Sequence, residues 1–140
     1  MTDAPRVPDF FNVFATEWET MTTTMWPENT AEGRILYEAP DRTLVAVASR
    51  YPNGVTFNMG PGSPDIHEVF FVYAGEGSRT YPDGTTVPMG AGDFIYNTGE
   101  DITYVYGPGF ADIAVFWSTK PLPEVFTAGL TKHPLRGQKL

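Results

Sequence analysis

Between residues 33 and 118 the chain offers short extended runs separated by turns, and this pattern constrains the fold more than any other feature. The runs are Gly33–Tyr37, Thr43–Arg50, Gly54–Met59, His67–Tyr73, Ser78–Tyr81, Phe94–Asn97, Thr103–Tyr106 and Ala111–Ser118. They are rich in β-branched and aromatic residues, which suit a pleated surface, and too short for buried helices. Pro52-Asn53-Gly54 and Pro82-Asp83-Gly84 carry strong reverse-turn chemistry, because proline presets one dihedral and glycine supplies a positive φ. Both predict tight hairpins. Eight short strands at nearly even spacing, with no helical period between them, argue an all-β antiparallel double-Greek-key barrel and exclude an alternating α/β arrangement.

The flanks differ. In residues 8–26 large apolar groups recur every three or four positions at Phe10, Phe14, Trp18 and Met25, so a short amphipathic N-terminal helix is expected over the first half. Thr22-Thr23-Thr24 favours extended chain and Pro27 ends any helix. Beyond Trp117, Pro121-Leu122-Pro123 leads into a basic tail with Lys132, Arg136 and Lys139, of little apparent core potential. Three segments result: an N-terminal arm over 1–33, a barrel over 34–118 and a C-terminal tail over 119–140. With 140 residues, 41% of them hydrophobic, one domain is expected, and a chain of this size buries about 68% of its unfolded surface.

Composition removes several function classes. There is no cysteine, so thiolate catalysis, thiolate metal sites and disulfides are excluded. A net charge of −8 with scattered basic residues argues against a nucleic-acid partner. No basic segment followed by an apolar one opens the chain, and no apolar run approaches the ~20 residues that cross a bilayer. The expectation is a soluble cytoplasmic protein with no membrane partner. Barrel edge strands expose unpaired backbone, which a symmetric homodimer would cover.

Chemistry concentrates at Glu68-Val69-Phe70-Phe71-Val72-Tyr73-Ala74-Gly75, where a lone acid opens an apolar strand that stops at a glycine. A second signature, Gly90-Ala91-Gly92-Asp93-Phe94-Ile95-Tyr96, begins fifteen residues after Gly75. From Leu44 to Trp117 the pair resembles the two motifs of the cupin superfamily, which implies a small jelly-roll barrel. The first cupin motif usually carries two histidines ahead of the glutamate; here that stretch reads Pro61-Gly62-Ser63-Pro64. The second usually ends in a histidine eleven residues after its glycine, and counting from Gly92 lands on Thr103. The resemblance is therefore to the metal-free branch, similar to ethanolamine-utilisation and Cupin_3-type small cupins, and implies neither a metal nor another cofactor. In that geometry Glu68 turns into the barrel.

Inside an apolar barrel a carboxyl loses hydration, which favours its neutral form and lifts its pKa to about 6 or 7, a range suited to proton transfer. Glu68 is thus the leading catalytic candidate. His67 adjoins it, and neighbours on a regular strand face opposite ways; it acts as a proton shuttle only if a bulge at Asp65-Ile66 turns it inward. Thr103 and Tyr96 are candidates for orienting a substrate oxygen. Asn97, Tyr51, Tyr73, Phe70 and Val105 are candidates for lining a small-molecule pocket. The loops Gly60–Pro64 and Gly90–Asp93 lead into strands, not helices, so they make turns and cradle no phosphate. No nucleophile-elbow sequence surrounds Ser63, Ser78 or Ser118. The leading expectation is a metal-independent lyase, dehydratase or isomerase acting on a small aromatic or alicyclic molecule through Glu68. The alternatives are a non-catalytic ligand-binding cupin and a metal-dependent one with non-standard ligands.

Overall fold

The computed structural model describes residues 18–22, 31–58, 60–127 and 130. Ten strands follow in order: β1 Glu19–Thr20, β2 Glu32–Glu38, β3 Leu44–Tyr51, β4 Val55–Asn58, β5 His67–Ala74, β6 Glu76–Thr80, β7 Thr86–Gly90, β8 Phe94–Asn97, β9 Thr103–Tyr106 and β10 Phe110–Trp117. A 3-10 turn at Glu124–Thr127 follows them. The expected N-terminal helix lies outside the described residues, except that Glu19–Thr20 is a short strand.

Every pairing is antiparallel. One sheet has the order β1-β2-β3-β10-β5-β8 and the other β4-β9-β6-β7, so successive strands cross between sheets in the jelly-roll manner. Two local expectations change. Pro82-Asp83-Gly84 does close a hairpin, between β6 and β7, but β7 was missed because Pro88 interrupts its run. Pro52-Asn53-Gly54 makes a turn, with the Gly54 amide donating to the Tyr51 carbonyl over 3.0 Å, yet it carries the chain from one sheet to the other. The same turn chemistry serves a hairpin or a sheet corner, and only pairing separates them.

Strand alternation sorts the side chains. From β3, β5 and β10 the interior receives Val45, Val47, Ser49 and Tyr51, then Glu68, Phe70 and Val72, then Phe110, Asp112, Ala114 and Phe116. One end of the barrel is filled by rings: Tyr106 stacks on Phe110 at 3.8 Å and meets Tyr51 edge-on at 4.8 Å. Gly75 ends β5 at φ 81, and a Cβ there would lie 2.5 Å from the Phe110 backbone. Glycine is required at this turn for both conformation and space.

The tail has more core potential than its prolines suggest. Leu122 and Leu130 are buried, and Phe126 packs on Phe116 at 4.6 Å. This stretch covers the end of the barrel opposite the ring cluster. No helix among the described residues is long and apolar enough to cross a membrane.

Candidate functional site

At that end lies a cavity of about 340 Å³. Glu68, Asn97 and Tyr104 supply its polar interior, and Ile66, Ile102, Phe116, Val125 and Phe126 are among its apolar walls. Two loops frame the mouth. The Gly62 amide donates to the Gly99 carbonyl over 2.9 Å, and Gly99 sits at φ 79 where a Cβ would come 2.6 Å from the Ser63 carbonyl oxygen. Ser63 and Glu100 therefore reach the rim from loops locked against each other.

The β5–β8 register pairs Glu68 with Asn97, so both side chains face inward from adjacent strands. The Asn97 amide nitrogen donates to Glu68 Oε1 over 3.1 Å and to the Tyr104 hydroxyl over 2.7 Å. One amide thus uses both N–H groups to join a carboxyl and a phenol. Tyr104, having accepted there, keeps its own O–H to donate. Burial lifts Glu68 to about 7; the Asn97 hydrogen bond pulls the other way, and the Glu100 carboxylate adds to the rise. Burial likewise raises the Tyr104 phenol, with Glu68 adding to it, so Tyr104 stays protonated and available as a donor.

Behind Glu68 a second cavity of about 40 Å³ is lined by Ser49, Tyr51, Tyr106 and Asp112 together with Glu68 itself. Asp112 is 4% exposed. Burial holds its carboxyl well above the usual range, with Glu68 contributing. A second acid inside the barrel was not expected. Both faces of β10 are largely apolar, and a lone aspartate in such a run reads as solvent-facing.

The sequence candidates divide by face. Glu68 and Asn97 meet in the cavity. Tyr51 is inward and buried but lines the smaller cavity. Phe70 is core, packed edge-on to Tyr104 at 5.9 Å, and does not reach the cavity surface. The rest lie elsewhere. His67 is on the outer face of β5, stacked on Trp117 at 5.2 Å, with Nδ1 2.7 Å from the Tyr96 hydroxyl. Tyr96 is 53% exposed. Tyr73 is outward and lines a surface groove with Trp18 and Arg50. Thr103 and Val105 also point out; the Asn58 amide donates to Thr103 over 3.2 Å. The inward residues near and on β9 are Ile102, Tyr104 and Tyr106, all buried. Counting eleven from Gly92 chose the wrong face by one residue, and the period-two alternation carried Thr103 and Val105 out together.

The donors do not suit a transition metal. Of the positions that the resemblance assigns to metal ligands, only Glu68 offers an ionisable group, and the adjacent imidazole of His67 points away. Among the described residues no three His, Cys, Asp or Glu side chains cluster closely enough to hold an ion, and the Asn97 amide and Tyr104 phenol beside Glu68 are weak substitutes.

No known family's sequence model matches the chain, and no curated protein matches it either. Solved structures do. KdgF from Halomonas sp. superposes with a TM-score of 0.61 at 16% identity, over 86% of this chain and 99% of its own. An RmlC-like cupin from Shewanella frigidimarina gives 0.58 at 19% identity, over 86% and 96%. Ectoine synthase from P. lautus gives 0.57 at 20% identity, over 71% and 72%. At these identities the likeness concerns the fold.

Proposed function

We infer that this chain, whose fold is that of the cupin superfamily, is a metal-independent enzyme that moves a proton on a small, largely apolar molecule bearing an oxygen function. One observation carries the reading: a cavity carboxyl held near neutrality shares a single amide with a phenol that has a hydrogen left to donate. A group titrating near the working pH is as useful accepting a proton as giving one. Ionised Glu68 takes a proton from the carbon beside a carbonyl. The C–H pair moves into a carbon–carbon double bond, and the carbonyl pair moves onto oxygen, where the Tyr104 hydroxyl donates to the developing charge. Where the substrate carries a β,γ double bond, returning the proton to the γ-carbon moves that double bond to the α,β position and completes an isomerisation. Returning it to a β-hydroxyl expels water.

The test is deuterium incorporation from heavy water at the α-carbon of cyclohexanone and acetophenone, followed by NMR. Wild type is expected to accelerate the exchange, and Glu68→Gln to lower the rate by about 100-fold or more. Equal rates in the two proteins sink the mechanism. Saturable binding of such ketones without exchange favours the alternative of a non-catalytic binding protein.

A further inference from the structure

Asp112 poses an unsolved problem inside the barrel. Its side chain is 4% exposed, it lines the 40 Å³ cavity, and among the described residues burial and Glu68 act on its carboxyl and no hydrogen bond does. A buried carboxyl without donors loses hydration and regains nothing. Glu68 lines the same cavity, and among the described residues the one side chain that donates to its carboxyl, Asn97, engages Oε1 and not Oε2. The hydroxyl-bearing residues Ser49, Tyr51 and Tyr106 complete the polar wall. Glu100 adds another carboxylate at the outer rim. Among the described residues neither cavity is lined by a Lys, Arg or His; Arg79 on β6, which pairs with Tyr104 on β9, lines neither.

The two spaces are continuous in their lining, sharing Glu68, Phe116, Val125 and Phe126. A void of 40 Å³ has room for a few water-sized groups, since each needs roughly 10–15 Å³. It is thus large enough for an ammonium group and too small for a ring. We propose that the barrel binds a compact primary amine, its ammonium seated in the inner cavity between Glu68 and Asp112 and its apolar body filling the outer one. The ammonium supplies the donors that Asp112 lacks and offsets the cost of a buried charge. A carboxylate ligand meets acidic groups and no cation among the described lining residues. The proposal takes from the proposed function the cavity as a ligand site, and does not require that Glu68 catalyse anything.

Calorimetric titration at pH 7.5 with benzylamine, benzyl alcohol and benzoate isolates ligand charge at nearly constant shape. Benzylamine is expected to bind at least tenfold more tightly than the alcohol, and benzoate not to bind. Asp112→Asn should bring the amine down to the level of the alcohol. Ser49→Val, which fills the inner cavity from β3 and spares both acids, should do the same, and decides the matter if Asp112→Asn does not fold. Benzoate binding as well as benzylamine, no binding by the amine, or an amine preference that survives both substitutions overturns the proposal. So does stabilisation by sodium or potassium chloride without any effect of benzylamine. The exchange measurement with Glu68→Gln reads proton transfer separately, so either reading can fail alone.

Discussion

At the scale of single residues, the informative quantity is where protons reside. The folded state lifts Glu68 from 4.5 to about 7, so between those values it holds a proton that the unfolded chain releases. Stability from this group is therefore full below pH 4.5 and lost as the pH rises through 7. At 1.36 kcal/mol per pKa unit, reduced because the side chain borders a solvent-connected cavity, the loss is on the order of 2–3 kcal/mol. Urea unfolding at pH 5 and pH 8 checks this: wild type should be more stable at pH 5, and Glu68→Gln should show a flatter dependence and exceed wild type at pH 8. An unchanged pH slope in the variant would contradict the burial of this carboxyl. The raised pKa of Asp112 acts in the same direction, so some slope should persist in Glu68→Gln.

At the scale of elements, alternation makes a strand an all-or-none device. On β9 the two faces carry Thr103 with Val105 and Tyr104 with Tyr106, and composition does not rank a threonine–valine face against a tyrosine–tyrosine one. Pairing ranks them: Tyr104 lies beside Phe57 on β4 and Arg79 on β6, in an interior row. Tyr104→Phe should reduce deuterium exchange about tenfold or more by removing the oxyanion donor, whereas Thr103→Val should leave the rate unchanged. The reverse outcome would return the oxygen-orienting role to Thr103. The turn after β5 gives a stability prediction. Gly75→Ala meets both a φ of 81 and a 2.5 Å approach to Phe110, and should cost about 2 kcal/mol or more, visible as a lowered Tm.

At the scale of the whole molecule, two surfaces follow from how the strands assemble. The cavity is closed by the tail, so Phe126→Ala should destabilise the barrel by about 1–3 kcal/mol through lost contact with Phe116, and should weaken ligand binding as well. The second surface is the outer face of the six-stranded sheet. Phe71 and Phe94 pair across β5 and β8, Tyr96 lies opposite Val69, and Phe94 is 68% exposed. The homodimer expected from the sequence is proposed to use this face and the β8 edge. Sedimentation velocity should then find a dimer for wild type and a monomer for Phe94→Asp; a wild-type monomer at micromolar concentration would remove the proposal.

Much of this protein is local information. Short runs of β-branched and aromatic residues, broken by proline and glycine, are enough to require strands and turns, and an acid at the head of an apolar strand is enough to mark Glu68. Those signals act within a few residues, so one chain displays them unaided. Which face of each strand turns inward, which turn is a corner, that Asp112 lies behind Glu68, and that the tail roofs the cavity are decided by contacts between residues far apart in sequence. Tertiary structure alone settles these, because a side chain's solvation depends on what packs against it.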